Sequence, residues 1–326
     1  MIKIIDSHLH LFDLKHGQYD WLKPNSAPTW PDKKRIDNSY NDTDLQKSAS
    51  FSVCGYVHIE AGFDNKLGHR EIANVEQRAS LPLRSIGFID ITLEPAEFIN
   101  EFNIQAQYQS TVGIRHIIEP LNLTNENAVL LKDDSAQNEV KRITSILENV
   151  NSYTNLTFLE EHDGIFELQC DVNNRELVVQ VYTFFQHFPK LQLVLNHAGF
   201  APSAFDEMGH ANAAFDDWKL NTQLLTRLPN IAVKCSGFEM VDRTYQKGQI
   251  QSVLSHCIDM FGLDNVMLAS NFPLCELSVT YEYYWQQVFD VLEQMLSDGL
   301  IKVEHKKALC YDNAFRIYQF SGLGES

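Results

Sequence analysis

Eight short apolar runs, each about the length of a strand, alternate along this chain with longer amphipathic stretches. The runs are Ile2–Ile5, Val53–Ile59, Ser85–Ile91, Thr111–Ile117, Ile165–Cys170, Leu191–Leu195, Ile231–Cys235 and Val266–Ala269, and most are rich in β-branched residues. Between them, apolar residues recur at helical spacing. Leu177, Val178, Val181, Phe184, Phe185 and Phe188 form one stripe; Val253, Leu254, Cys257, Ile258 and Phe261 form a second; Tyr284, Val288, Val291, Leu292 and Met295 form a third. Strands alternating with core-facing helices predict an α/β protein whose parallel sheet is covered on both faces. Eight is also the number of strands that closes a (β/α)8 barrel. An open, doubly wound sheet is the competing architecture, but it usually opens on a Gly-rich turn, and no G-x-G-x-x-G follows the first run. Such barrels exceed ~250 residues as one unit, so the 326 residues are read as one domain, 1–326. Two segments outrun a simple loop. Residues 11–42, with Trp21, Pro24, Pro28, Trp30 and Pro31, read as an ordered loop over the barrel mouth. Residues 120–163, polar and Asn-rich, read as an insertion after strand four with a helix near Gln137–Asn149. Helices are expected to close the C-terminus.

Charge narrows the partners. Lys and Arg number 26 against 43 Asp and Glu, a net charge of −17. Phosphate backbones and anionic lipid repel such a chain, so nucleic acid and membrane surfaces are excluded as partners and a small-molecule substrate is expected. A homodimer is compatible with the sequence but not fixed by it. No run approaches the ~20 apolar residues of a membrane span, and Met1–Asp6 has no signal-peptide character. The six cysteines are scattered without a Cys-x-x-Cys pair, the pattern of reduced thiols in the cytoplasm.

In a barrel, chemistry gathers where strands end. Strand one ends in Asp6-Ser7-His8-Leu9-His10. Strand periodicity puts His8 and His10 on one side, and converging imidazoles suit a divalent metal such as Zn or Mn. Strand six ends in Asn196-His197-Ala198-Gly199 and supplies a third imidazole at the same rim. Strand two ends in His58-Ile59-Glu60-Ala61, strand four in Gly113-Ile114-Arg115-His116 and strand eight in Ser270-Asn271-Phe272-Pro273. His58 either binds substrate or packs. Glu60 either acts as a base or bonds a neighbouring Arg or His. Trp21 and Phe272 are expected to wall the pocket. Cys275 lacks a paired histidine signature, and no G-x-S-x-G elbow supports a serine nucleophile.

These motifs, taken in order and together with Val-Lys-Cys-Ser-Gly at 233–237, resemble the amidohydrolase superfamily. The closer likeness is to the barrel hydrolases that include sugar-acid lactonases and 2-pyrone-4,6-dicarboxylate lactonase. The resemblance runs from Ile4 to Asn313-Ala314 and covers the insertion poorly. It implies that His8, His10 and His197 are ligands of a single divalent metal, or polarise the substrate directly. It also implies that Arg115 and His116 hold a substrate carboxylate or carbonyl. Binuclear members carry a lysine at the end of strand four, so Arg115-His116 disfavours a two-metal site.

Two positions depart from that pattern. The family motif Gly-Ser-Asp-Trp-Pro becomes Ala269-Ser270-Asn271-Phe272-Pro273, which replaces the expected general base by an amide that takes no proton at neutral pH. Proton transfer by a placed side chain contributes roughly 10²–10⁴-fold in rate. The second is Asn196, which stands where an Asp is usual and can orient His197 but not balance its charge. Glu60, and less favourably Glu119, are the candidate substitute bases. The expected activity is therefore water attack on a small carboxylated ester or lactone, with Asn271 positioning the water. A catalytically silent ligand-binding relative and a metal-dependent decarboxylase are the alternatives.

Overall fold

The structure is a computed structural model that describes residues 2–46, 48, 50–64, 66–118, 146–205 and 208–321. Glu119 and most of the helix expected at 137–149 lie outside the described residues. The strands are β1 (Ile2–Leu9), β2 (Phe51–Ile59), β3 (Leu83–Phe88), β4 (Thr111–Arg115), β5 (Ile165–Leu168), β6 (Gln192–Leu195), β7 (Ile231–Cys235) and β8 (Val266–Leu268). They form one sheet in sequence order, each neighbouring pair parallel. Past the end of β8 the sheet turns back on β1. The Asn271 amide donates to the His8 carbonyl at 2.9 Å, and the His10 amide to the Phe272 carbonyl at 2.7 Å. The result is a nearly closed (β/α)8 TIM barrel.

All three apolar stripes fall on helices. Arg175–Phe185, Lys247–Phe261 and Tyr281–Ser297 each bury most of the expected residues against the outside of the barrel. Phe188, just past the first of these helices, is also buried, whereas Ile258 is only partly so. Inside, Ile5, Val57, Ile59, Ile86, Ile165, Val194, Ala232 and Met267 form a second apolar cluster. Ile317, Tyr318 and Phe320, from the end of the chain, join it and plug the barrel floor. Residues 11–42 carry two short 3₁₀ helices, Asp20–Leu22 and Lys33–Arg35. No described helix is long and apolar enough to cross a membrane.

One irregularity in β1 decides where the site forms. From Asp6 to Leu9 the strand advances three residues while its β2 partners advance two, from Tyr56 to His58. That is a bulge, an extra residue that reverses the alternation of sides. Ile5 packs in the inner cluster and Leu9 in the outer one, although strict alternation would put both on one side. The bulge therefore turns His8 and His10 inward.

Candidate active site

Three imidazoles meet at the barrel mouth. The His8 ring centroid lies 5.1 Å from that of His10 and 4.5 Å from that of His197. All three rings are buried. Burial, together with the nearby positive charge of Arg115 and, for His8 and His197, Lys234, holds all three well below the usual histidine value. They are neutral at physiological pH.

Hydrogen-bond partners fix two of the tautomers. His10 Nδ1 sits 2.8 Å from the Ile59 carbonyl, which can only accept, so Nδ1 carries the proton and Nε2 keeps its lone pair. His8 Nδ1 faces the Lys234 ammonium at 3.4 Å, which can only donate, so the His8 proton is on Nε2. That Nε2 is buried and has no partner among the described residues. His197 Nδ1 pairs with Ser236 Oγ at 3.0 Å. Sequence reasoning gave the orienting role to Asn196. Both polar side-chain atoms of Asn196 are buried without a partner among the described residues, and Ser236, just past β7, takes that place.

Backbone strain sharpens the β6 end. His197, Ala198 and Phe200 all have left-handed φ values, 54°, 48° and 61°, a conformation that costs non-glycine residues and clusters at functional sites. Gly237, with φ 68°, faces them. A Cβ there would stand 2.5 Å from His197 Nδ1, so only glycine lets the ring stay.

The second tier is ionic. Lys234, on β7, bonds both carboxylate oxygens of Glu167, on β5, at 2.8 Å, and Tyr318 donates to the same carboxylate. Burial pulls the Lys234 ammonium down to about 8, against the pull of Glu167. Arg115 Nε donates to Glu60 Oε1 at 2.7 Å, and its two terminal nitrogens donate to Glu60 O and Gln169 Oε1 at 2.6 and 3.0 Å. This is the hydrogen-bonded alternative for Glu60, and it occupies the carboxylate expected as a substitute base. Three of the five Arg115 N–H groups are engaged, which leaves two without a partner among the described residues. His58 packs: its Nδ1 accepts from the Leu11 amide at 3.3 Å, and its Nε2 faces Glu71 Oε1 at 3.2 Å. With both nitrogens bonded to protein, the ring has no hydrogen bond to give a substrate.

The remaining candidates are held by contacts of their own. His116 packs edge-on to Phe88, with its Nδ1 accepting from the Ile91 amide at 3.2 Å. Trp21 donates to the Ala61 carbonyl at 2.7 Å and meets Phe12 edge-on. Phe272 is buried against Tyr40 and Tyr281. A cavity of about 230 Å³ is walled in part by Ala201, Phe205, Phe238 and Tyr245; none of the three imidazoles lines it.

Asn271 has φ 58°, in the left-handed region that Asn tolerates better than most residues. Its Nδ2 donates to Glu239 Oε1 at 2.6 Å. Glu239 lies on the short helix Phe238–Val241 after β7 and is fully buried. Asn271 Oδ1 and Glu239 Oε2 are buried without partners among the described residues. Sequence reasoning missed Glu239. Its one visible signal was its place two residues after the Val-Lys-Cys-Ser-Gly motif.

The expected divalent metal finds no fitting donor set. Among the described residues, no three His, Cys, Asp or Glu side chains are placed to hold an ion. Lys234 puts a proton on the very His8 nitrogen that would have to give its lone pair. The three imidazoles offer no negative charge, and Asn271 brings none.

The comparisons with known proteins agree with this architecture. The uncharacterized protein y4mH of Sinorhizobium fredii is 26% identical over 324 residues, 98% of this chain and 99% of that one. An L-fucono-1,5-lactonase of Burkholderia multivorans is 26% identical over 181 residues, 49% of this chain and 57% of that one. The crystal structure of a zinc-bound amidohydrolase from Burkholderia multivorans superposes with a TM-score of 0.73 at 19% identity, covering 97% of this chain and 99% of that one. The amidohydrolase family model matches residues 5–320. The chain belongs to the amidohydrolase family.

Proposed function

We propose that the protein hydrolyses a small carboxylated ester or lactone, of the sugar-acid lactone type, by imidazole-assisted attack of water. The observation that carries the reading is His8 Nε2, a buried N–H with no partner among the described residues, set beside two further neutral imidazoles. A preorganised donor in a site shielded from water stabilises the oxyanion that forms when water adds to a carbonyl. Lys234 keeps that donor in place by fixing the tautomer. The two remaining N–H groups of Arg115 suit a substrate carboxylate. Asn271 Oδ1 accepts a hydrogen bond from the attacking water. The similarity to a lactonase supports the substrate class.

The test is a panel of sugar-acid 1,4- and 1,5-lactones and cyclic dicarboxylates, followed by acid release. Turnover is expected for the wild type, and His8→Ala should lower kcat by about 10²–10³-fold. A wild type that only binds panel members, and gains turnover in Asn271→Asp, would establish the silent relative, which the amide at 271 favours. Carbon dioxide release would point to decarboxylation instead.

Metal removal gives a separate check. With a donor set that does not fit an ion, turnover is expected to survive prolonged chelation. Elemental analysis should find zinc and manganese well below one per chain. Loss of activity on chelation, with recovery on adding either ion, would show that the imidazoles rearrange to bind it.

A further inference from the structure

Hydrolysis needs an acceptor for the proton of the attacking water, and most groups near the imidazoles are poor ones. His8, His10 and His197 sit beside the positive charges of Arg115 and Lys234, which oppose a further proton. Glu60 is bound to Arg115. The Asn271 amide is not basic. One carboxylate touches Asn271, and it is Glu239, at 2.6 Å through Oε1. That bond fixes which end of the amide is which and leaves Asn271 Oδ1 unpaired, as Glu239 Oε2 is also unpaired. Two buried acceptors on bonded neighbours, with no donor among the described residues, are what a single water satisfies by giving one hydrogen to each.

We propose that Glu239 is the general base of the reaction, and that Oε2 of Glu239 and Oδ1 of Asn271 hold the attacking water between them. The helix after β7 then supplies the carboxylate that the end of β8 lacks. The assignment rests on the hydrolytic reading above. In the first step the water oxygen bonds to the substrate carbonyl carbon, its proton passes to Glu239 Oε2, and the oxyanion is held by His8 Nε2–H. In the second step the bond from that carbon to the ring oxygen breaks. The leaving alkoxide takes the proton back from Glu239, which yields the hydroxy acid and restores the carboxylate.

The surroundings of Glu239 suit a base that works near neutral pH. Arg243 donates to its backbone carbonyl and is itself paired with Asp32. Tyr245, Cys275 from the 3₁₀ helix Leu274–Leu277, and Tyr284 from the helix Tyr281–Ser297 also face it, each driven upward by burial and therefore uncharged. Burial lifts Glu239 itself to about 7, against the Asn271 hydrogen bond and the Arg243 charge. A base that must be ionised to act makes the rate fall as pH drops through that value.

The experiment pairs kinetics on the lactone panel with a crystal structure of the full chain. Glu239→Gln keeps an oxygen for Asn271 Nδ2, so the local fold persists. It is expected to lower kcat by about 10²-fold or more with KM little changed, and to abolish the acid limb of the pH profile. Adding Asn271→Asp to that variant returns a carboxylate to the same water. It should recover about tenfold or more of the lost rate, with the acid limb moved to lower pH. The crystal structure should show an ordered water between the two oxygens. A Glu239→Gln enzyme with wild-type kcat and pH profile overturns the base role while the hydrolytic reading stands. So does clear density with no water at that position. A wild type that hydrolyses no member of the panel removes the hydrolytic reading itself, and the base role with it, so the two failures are told apart before any variant is made.

Discussion

Lys234→Met should lower the free energy of unfolding by about 3–5 kcal/mol, the cost of leaving a buried charge without its partner. Lys234 and Glu167 are both 0% exposed and are paired at 2.8 Å inside the barrel. Once the ammonium is gone, Glu167 keeps the Tyr318 hydroxyl as its one side-chain partner among the described residues, and it is buried away from water. The double variant Lys234→Met/Glu167→Gln removes both charges and retains an acceptor for Tyr318. It should be markedly more stable than the single variant, because well-matched neutral replacements of a buried ion pair are often tolerated. Urea denaturation of the wild type, both single variants and the double variant completes the cycle. A coupling free energy near zero would mean that water reaches the pair. The double variant also separates stability from chemistry. It folds without the ammonium that fixes the His8 tautomer, so lactone turnover should remain low even though the barrel is intact.

The eight strands were legible because each is an apolar run whose ends fall at polar or glycine positions, and every one was located to within a few residues. The three helical stripes were legible for the same reason. What the chain does between Asp6 and Leu9 was not. A bulge leaves no mark in a pattern of apolar and polar letters, yet it is the bulge that faces His8 and His10 inward. Pair identities were also hidden. Arg115 and Glu60 are 55 positions apart, as His58 and Glu71 are 13 apart, and no spacing rule links strand ends across a barrel. Glu239 shows the limit most clearly. Reasoning from the strand-eight motif looked for a replacement carboxylate at other strand ends. The one that touches Asn271 comes from a four-residue helix, where it reads as an ordinary polar residue.

Acid is expected to unfold this protein through its buried imidazole cluster. His8, His10 and His197 are held neutral in the fold, well below 6.5, and regain ordinary values when the chain unfolds. Their contribution is therefore complete above about pH 6.5 and is lost as pH falls below it, because the unfolded chain takes up protons that the folded one refuses. Two carboxyls work in the opposite sense. Burial lifts Asp6 to about 6 and Glu239 to about 7, so the fold holds protons there that the unfolded chain releases, and both gain stability as pH falls from neutral. Between pH 6.5 and 5 the protons that these histidines take up on unfolding, with that of His256, which burial lowers to about 4, outnumber those the two carboxyls release. The net is a loss of stability as pH falls. Below about pH 3.8, the ordinary value of Asp, the two carboxyls are mostly protonated in both states and their offset fades. Urea denaturation at a series of pH values measures both limbs. Glu239→Gln removes one of the two offsets, so its stability should fall more steeply than the wild type between pH 7 and 4.5, by up to ~1.4 kcal/mol per unit. A wild-type stability that stays flat from pH 7 to 5 and is no steeper in Glu239→Gln would mean that the imidazoles reach solvent and titrate normally. The dry, preorganised cluster on which the proposed hydrolysis depends would then be lost as well.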